Sequence, residues 1–461
     1  MNIPKRIAQA LINSLKGGVV PRTGLPYITV GRKEEIDALL RDVEMVGEGG
    51  ASFRFIVGKY GSGKSFLLQT IRNYVMAKNF VVVDADLSPE RRLVGNRGQG
   101  LATYRELMRN MATKTRPEGG ALNLILDRWI NTLQQEVLDE KGLRSGDPRV
   151  PKAMERKIAK VISSLNELVH GFDFSKLLTL YYQSYMKNDE DTNAAVLKWF
   201  RGEYNTKREA RQELGVSICI SDDDWYEYLK LFACFLTKAG YSGMLVLIDE
   251  LVNIYKIPNA VTRQYNYEKL LTMYNDALQG RSHHLGMILC STPQCMEDTS
   301  RGIFSYEALR SRLAEGHFTS SGEHKDLLAP IIRITTLTSE ELLILTEKLA
   351  SIHATLYGYE QIITGKDLED FLQVEFNRIG ANTQITLREI IRDFIELLDI
   401  LYQNPKLEVK ALLGSEQFTY AENEIASQEA SDEFAEFELW ACLNAMLLLS
   451  RNISTGIIGL I

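Results

Sequence analysis

Phe53-Arg54-Phe55-Ile56-Val57-Gly58-Lys59-Tyr60-Gly61-Ser62-Gly63-Lys64-Ser65 is the stretch on which the fold turns. An apolar run of strand length leads into a string that satisfies G-x-x-x-x-G-K-[ST], and a helical pattern follows, opening with Lys64, Ser65 and Phe66. Glycine is needed in such a loop because backbone N–H groups must crowd around phosphate oxygens, where a β-carbon would collide. A helix beginning at Lys64 would aim its unpaired N–H groups and positive dipole end at the same anion. The pattern predicts that Lys64 reaches the β- and γ-phosphates and that Ser65 ligates magnesium. The loop implies a nucleoside triphosphate, contacted by Gly58, Lys59, Tyr60, Gly61, Ser62, Gly63, Lys64, Ser65 and Phe66.

Outward from this loop, five apolar segments of strand length recur between helical patterns, at 53–57, 80–83, 244–248, 285–290 and 331–335. Continuous apolar runs mark strands covered on both faces, so an α/β fold with a five-stranded parallel sheet is expected. The gap between the second and third segments is too long for one crossover helix. Helical periodicity at 122–137, 154–169 and 174–186 fills it, with a glycine- and proline-containing break at 146–151 and charged sequence to 213. An insertion over about 120–212 would be either a place for partner contacts or additional core of the same domain. Three helices are expected after the fifth strand, at 339–356, 366–377 and 387–402. Two carry capping boxes, Thr338-x-x-Glu341 and Thr386-x-x-Glu389, which mark their starts. The expected organisation is an N-terminal helix and adenine-side linker (1–52), a nucleotide-binding core (53–336), a helical lid (337–403), and an acidic segment with an apolar tail (404–461).

Met244-Leu245-Val246-Leu247-Ile248-Asp249-Glu250 is an apolar strand ending in two acids, where an open α/β sheet faces its ligand crevice. Asp249 would hold the magnesium ion and Glu250 would act as general base on the attacking water, unless Glu250 merely caps a helix or pairs with a cation. The fourth segment ends in Ser291-Thr292-Pro293. One of these hydroxyls would orient water or sense the γ-phosphate, although Ser or Thr before Pro also forms turns. Arg310 and Arg312 are candidates to reach a neighbouring subunit's γ-phosphate, since the arginine charge is permanent and its fork matches phosphate; ordinary surface arginines are the competing account. Arg388, at the second position of a capped helix, would be repelled by the dipole without an anion nearby, which points to a phosphate contact or a local acid. Val30-Gly31-Arg32 precedes the core where the chain can cross an adenine, with Gly31 permitting close approach.

Composition narrows the class further. At 461 residues, 45% hydrophobic and 25% charged, the chain is an ordinary globular protein, and its net charge of −7 opposes indiscriminate coating of nucleic acid. Cys219, Cys234, Cys290, Cys295 and Cys442 form no CxxC pair, which with a nucleotide site suggests reduced thiols and a cytoplasmic location. Residues 1–16 are amphipathic and lack the apolar centre of a signal peptide. The apolar tail 441–461 is broken by Ser450-Arg451-Asn452 and falls short of the roughly 20 residues of a membrane span. A docked helix is expected there, and no membrane association.

These features together resemble the AAA+ class of P-loop ATPases, in particular its initiator-like and STAND-like branches. In those a "VGR" segment precedes the phosphate loop and a helical lid carries a sensor arginine. More narrowly, the chain resembles the ATP-binding proteins of BREX-type bacteriophage-defence loci. The resemblance rests on Gly17-Gly18-Val19-Val20-Pro21-Arg22 leading to Val30-Gly31-Arg32, the stretch from Phe53 to Ser65, Ala239-Gly240-Tyr241, and Phe434-Ala435-Glu436-Phe437. It spans most of the chain. It implies a Mg2+-dependent ATPase working as a homo-oligomer, or in a hetero-assembly with defence proteins such as a helicase or nuclease, on or near DNA. A nucleotide-dependent scaffold with little turnover is the alternative, and a small-molecule kinase fits less well because of the lid. For DNA there is no zinc finger and no clear helix-turn-helix. The basic residues from Lys152 to Lys160, or Lys207, Arg208 and Arg211, would contact phosphates or be solvated helix faces.

Overall fold

A computed structural model describes residues 3–144, 146–163, 165, 167–314, 325–379 and 386–413 of the chain. Its centre is a sheet of five strands, β1 (Ala51–Val57), β2 (Val81–Asp86), β3 (Met244–Asp249), β4 (Leu285–Ser291) and β5 (Ile331–Arg333). All neighbours are parallel, in the order β2-β3-β4-β1-β5. The five expected strands therefore form, with shifted ends. The second begins at Val81 and runs on to Asp86, which carries an acid to the C-terminal edge of the sheet, and the fifth stops at Arg333.

Three helices precede the sheet: α1 (Lys5–Lys16), α2 (Leu25–Ile28) and α3 (Lys33–Gly47). After β1 comes α4 (Lys64–Ala77), and between β2 and β3 lie α5 (Gln99–Arg109), α6 (Leu122–Lys141), α7 (Val150–Ser163), α8 (Gly171–Lys187), α9 (Glu190–Phe200), α10 (Lys207–Leu214) and α11 (Trp225–Lys238). The short α12 (Val252–Tyr255) and long α13 (Ala260–Leu278) separate β3 from β4. Then follow α14 (Pro293–Glu297), α15 (Glu307–Leu313), α16 (Ser339–Tyr357), α17 (Gly365–Ile379), α18 (Leu387–Gln403) and α19 (Val409–Leu413).

Strand alternation sorts the core into two layers. Ile56, Val82, Leu245, Leu247 and Ile288 pack against α3 and α4 through Leu39, Val43, Leu67, Ile71 and Val75. The opposite set, Phe53, Phe55, Val57, Val81, Val83, Val246, Ile248, Met287 and Leu289, joins a larger cluster that continues into α5–α11. In that cluster Trp129 meets Phe235 at 5.2 Å between ring centroids and Phe174 meets Phe232 at 5.0 Å. The aromatic core of these helices is thus continuous with one face of the sheet.

The helix expected at 154–169 starts at Val150 and ends at Ser163. A short turn follows, in which Leu168 N–H donates to the Leu165 carbonyl and Gly171 N–H to that of Leu168. His170, with a left-handed φ of 61°, then leads into α8. Both predicted capping boxes are present, each with the threonine hydroxyl accepting from the glutamate N–H and the glutamate carboxylate accepting from the threonine N–H.

The chain divides into two compact units, Met1–Glu360 and Gln361–Ile461, a boundary that falls inside the expected lid. In the first, α16 packs on α1 and α2. In the second, Phe371 of α17 lies 5.2 Å from Phe394 of α18. Among the described residues no helix is long and apolar enough to cross a membrane. The acidic stretch, Phe434-Ala435-Glu436-Phe437, Cys442 and the apolar tail lie outside the described residues.

Candidate functional site

The phosphate loop is shaped by its glycines and by the strand ends around it. Gly61 and Gly63 have φ values of 75° and 89°, which side chains rarely adopt. Gly58 is needed for a different reason: a β-carbon there would lie 2.9 Å from the Ile334 carbonyl oxygen. Its N–H donates to the Ser291 carbonyl at 3.2 Å. Gly63 is the N-cap of α4 and no side chain caps that helix, so its first N–H groups are open to an anion. The Ser62 side chain is buried and its hydroxyl has no hydrogen-bond partner. An uncapped helix start and an orphaned hydroxyl in one loop fit a bound triphosphate.

Lys64 Nζ arches back over the loop, donating to the Gly58 carbonyl at 2.8 Å and the Lys59 carbonyl at 3.0 Å. Desolvation lowers the pKa of this ammonium group, opposed by Asp249 and Glu250 among the groups facing it. Ser65 Oγ donates to Asp249 Oδ2 at 2.6 Å, which joins the start of α4 to the end of β3. Tyr60 is exposed, and the Phe66 carbonyl accepts from Thr70 Oγ1 within α4. No group of three or more His, Cys, Asp or Glu among the described residues is placed to hold a metal. Ser65 and Asp249 suit a magnesium ion that takes its remaining ligands from water and phosphate oxygens.

Glu250 follows with a left-handed φ of 60°, and its N–H donates to Asp249 Oδ1 at 2.8 Å. Although the residue as a whole is exposed, desolvation, and after it the neighbouring Asp249, raises the pKa of its carboxyl. Lys64 pulls in the other direction. A third acid joins them. Asp86 stands in register with Asp249 across β2 and β3, and its carboxyl is likewise pushed up by desolvation and by Asp249. Sequence reasoning passed over it, although Val81-Val82-Val83-Asp84-Ala85-Asp86 repeats the apolar-then-acid form of β3.

Because β4 lies between β1 and β3, Ser291 flanks the phosphate loop, in register with Val57. Its Oγ donates to the Thr292 carbonyl at 3.3 Å. The Thr292 hydroxyl is occupied as N-cap of α14, accepting from Cys295 N–H at 3.2 Å. Arg32 is buried and donates to the carbonyls of Ser62, at 3.1 Å, and of Thr335, tying the incoming chain to the loop. Gly31 (φ 68°) lies against Glu341, where a β-carbon would fall 2.0 Å from the carboxylate. The close approach that requires glycine there is thus to the capping acid of α16.

Other predicted residues are not drawn into this cluster by any described bond. Arg310 pairs with Glu307 at 2.5 Å and Arg312 donates to the Ala308 carbonyl at 2.7 Å, both exposed on α15. Arg388 is exposed in the first turn of α18, in the second unit. Of the basic stretches, Lys157 is paired with Glu136 at 3.1 Å and Glu140 at 2.5 Å. Residues 3–417 match a family model described as BREX system ATP-binding protein BrxC/D. No curated protein matches the chain.

Proposed function

We propose, for a chain that belongs to the family of BREX system ATP-binding proteins BrxC/D, that it binds ATP with magnesium at residues 58–66 and hydrolyses it within a phage-defence assembly. The observation that carries this reading is the 2.6 Å bond from Ser65 to Asp249. It brings the phosphate loop and the acidic strand end to one point, beneath a lysine that holds only loop carbonyls. Magnesium bound by Ser65 and Asp249 would neutralise phosphate charge. Lys64 releases the carbonyls of Gly58 and Lys59 to meet the β- and γ-phosphates, and the open N–H groups of α4 receive the rest of the anion. Glu250 accepts the proton of the attacking water, and its raised pKa brings its proton affinity nearer neutrality, where a general base works best.

The order β2-β3-β4-β1-β5 supports the AAA+ form of this reading, because it sets Ser291 between the loop and the acids. In that form Arg388 contacts phosphate from a helical lid, and Arg310 or Arg312 acts on a neighbouring copy's nucleotide. Other defence components, such as a helicase or nuclease, and DNA are the partners in this scheme. Calorimetry with Mg-ATP and a phosphate-release assay test it. Lys64→Ala should lose binding. Glu250→Gln should retain it and lose turnover by about 10²-fold or more. A Glu250→Gln protein that turns over ATP like the parent would sink the hydrolytic role. A parent protein that binds ATP without measurable turnover would make the chain a nucleotide-dependent scaffold.

A further inference from the structure

A concavity of about 490 Å³ lies between the segment after β2, α5, the start of α6, and the link from α9 to α10. Arg91, Arg105, Arg109 and Arg201 line it, together with Glu106 and two rim acids, Glu90 and Glu203. The charges are unevenly placed. Arg91, Arg105, Arg201 and Glu106 are half-buried, whereas Arg109, Glu90 and Glu203 are exposed, so the two rim acids are the more strongly screened of the three acids. Glu106 accepts a bond from Asn110 at 3.3 Å. Among the described residues none of the four arginines forms an ion pair with any of these acids.

Two of the arginines are anchored in a way that leaves donors free. Arg91 Nε donates to the Asp86 carbonyl at 2.9 Å, which leaves both terminal nitrogens uncommitted. Arg105 Nε donates to the Gly202 carbonyl at 2.7 Å and one terminal nitrogen reaches Asn205 at 3.2 Å. The segment that carries Arg91 is itself held, with Ser88 N–H donating to the Arg91 carbonyl and Arg91 N–H to that of Ser88. The guanidinium groups of Arg109 and Arg201 hydrogen-bond to no described residue. The lining acids offset much of the arginines' charge, but a guanidinium fixed through Nε still presents a free fork that matches phosphate geometry.

We propose that this concavity is a second anion site, which binds the phosphate ester of a nucleotide or of a nucleic-acid strand end through Arg91, Arg105, Arg109 and Arg201. Its lining includes no residue of the triphosphate loop, so it can be tested in the full chain carrying Lys64→Ala. Calorimetric titration of that protein with inorganic pyrophosphate should give saturable heat. Adding Arg91→Gln and Arg201→Gln should weaken it about tenfold or more, with an unchanged melting temperature as the folding control. Competition by 5′-phosphorylated oligothymidylate, but not by its 5′-hydroxyl counterpart, would assign the site to a strand end; competition by neither would assign it to a free nucleotide. Absence of saturable heat in Lys64→Ala, or equal affinity after the arginine substitutions, overturns the proposal. Failure of the parent to bind Mg-ATP would instead remove the triphosphate reading and leave this one standing.

Discussion

Asp86, Asp249 and Glu250 crowd three carboxylates at the edge of the sheet, and two of them respond as desolvated, mutually repelling acids should, with pKa values above their usual range. An acid whose pKa is raised on folding favours the folded state most at pH values below its unfolded pKa, where both forms are protonated. That advantage is lost as pH rises through the folded pKa. Asp86→Asn should therefore raise the melting temperature at neutral pH, and the gain should vanish below about pH 4. A scan of melting temperature against pH decides this, and a gain that persists at low pH would refute the electrostatic account. Arg32 presents the opposite case, a buried cation whose removal strands the carbonyls of Ser62 and Thr335. Thr335 is exposed and can turn to water, whereas Ser62 is buried; leaving one buried acceptor unpaired costs about 1–3 kcal/mol, so Arg32→Ala should lower unfolding stability in urea by about 2 kcal/mol. Of these residues, the loop and the acids of β3 were legible because their types and spacing are dictated by phosphate and magnesium chemistry. Asp86 was not, because its partner lies 163 positions away and only the parallel register brings them together.

At the scale of elements, sequence legibility tracks how local the determinants are. The strands were visible because both faces are buried, which forces continuous apolar runs. The starts of α16 and α18 were visible because a capping box is a contract between residues three apart. The end of α7 was obscure, since the apolar pattern runs past Ser163 and the chain turns on a left-handed histidine, a conformation no local pattern announced. The role of Gly31 was hidden for the same reason as Asp86, since the carboxylate it lies against belongs to Glu341, far along the chain; Thr292 instead makes a local cap to Cys295. The two caps give a matched test. Thr338→Ala and Thr386→Ala each remove a hydroxyl that accepts an N–H at 3.2 and 3.4 Å, and each should cost about 1 kcal/mol. Because α16 and α18 belong to different units, hydrogen exchange should show the loss around residues 339–357 for the first and 387–403 for the second. Equal loss over both segments from either substitution would mean that the units unfold as one.

For the whole molecule, the arginines of α15 decide whether one chain suffices. The pair between Arg310 and Glu307 is exposed on both sides, and such pairs contribute no more than about 1 kcal/mol. Its guanidinium can therefore exchange partners cheaply when a charged phosphate is presented, as can Arg312, which holds only a backbone carbonyl. A proposal that these residues complete a neighbour's site then makes a paired demand. Mass measured by light scattering should rise with a slowly hydrolysed ATP analogue relative to ADP, and turnover per chain should climb with protein concentration. Arg310→Ala with Arg312→Ala should leave ATP affinity of the isolated chain within about twofold, since neither group touches its own loop, while abolishing the concentration dependence. If mass stays that of a monomer with both nucleotides and turnover per chain is constant, the arginines are surface residues, and the site that Ser65 and Asp249 join must work alone or with a different protein.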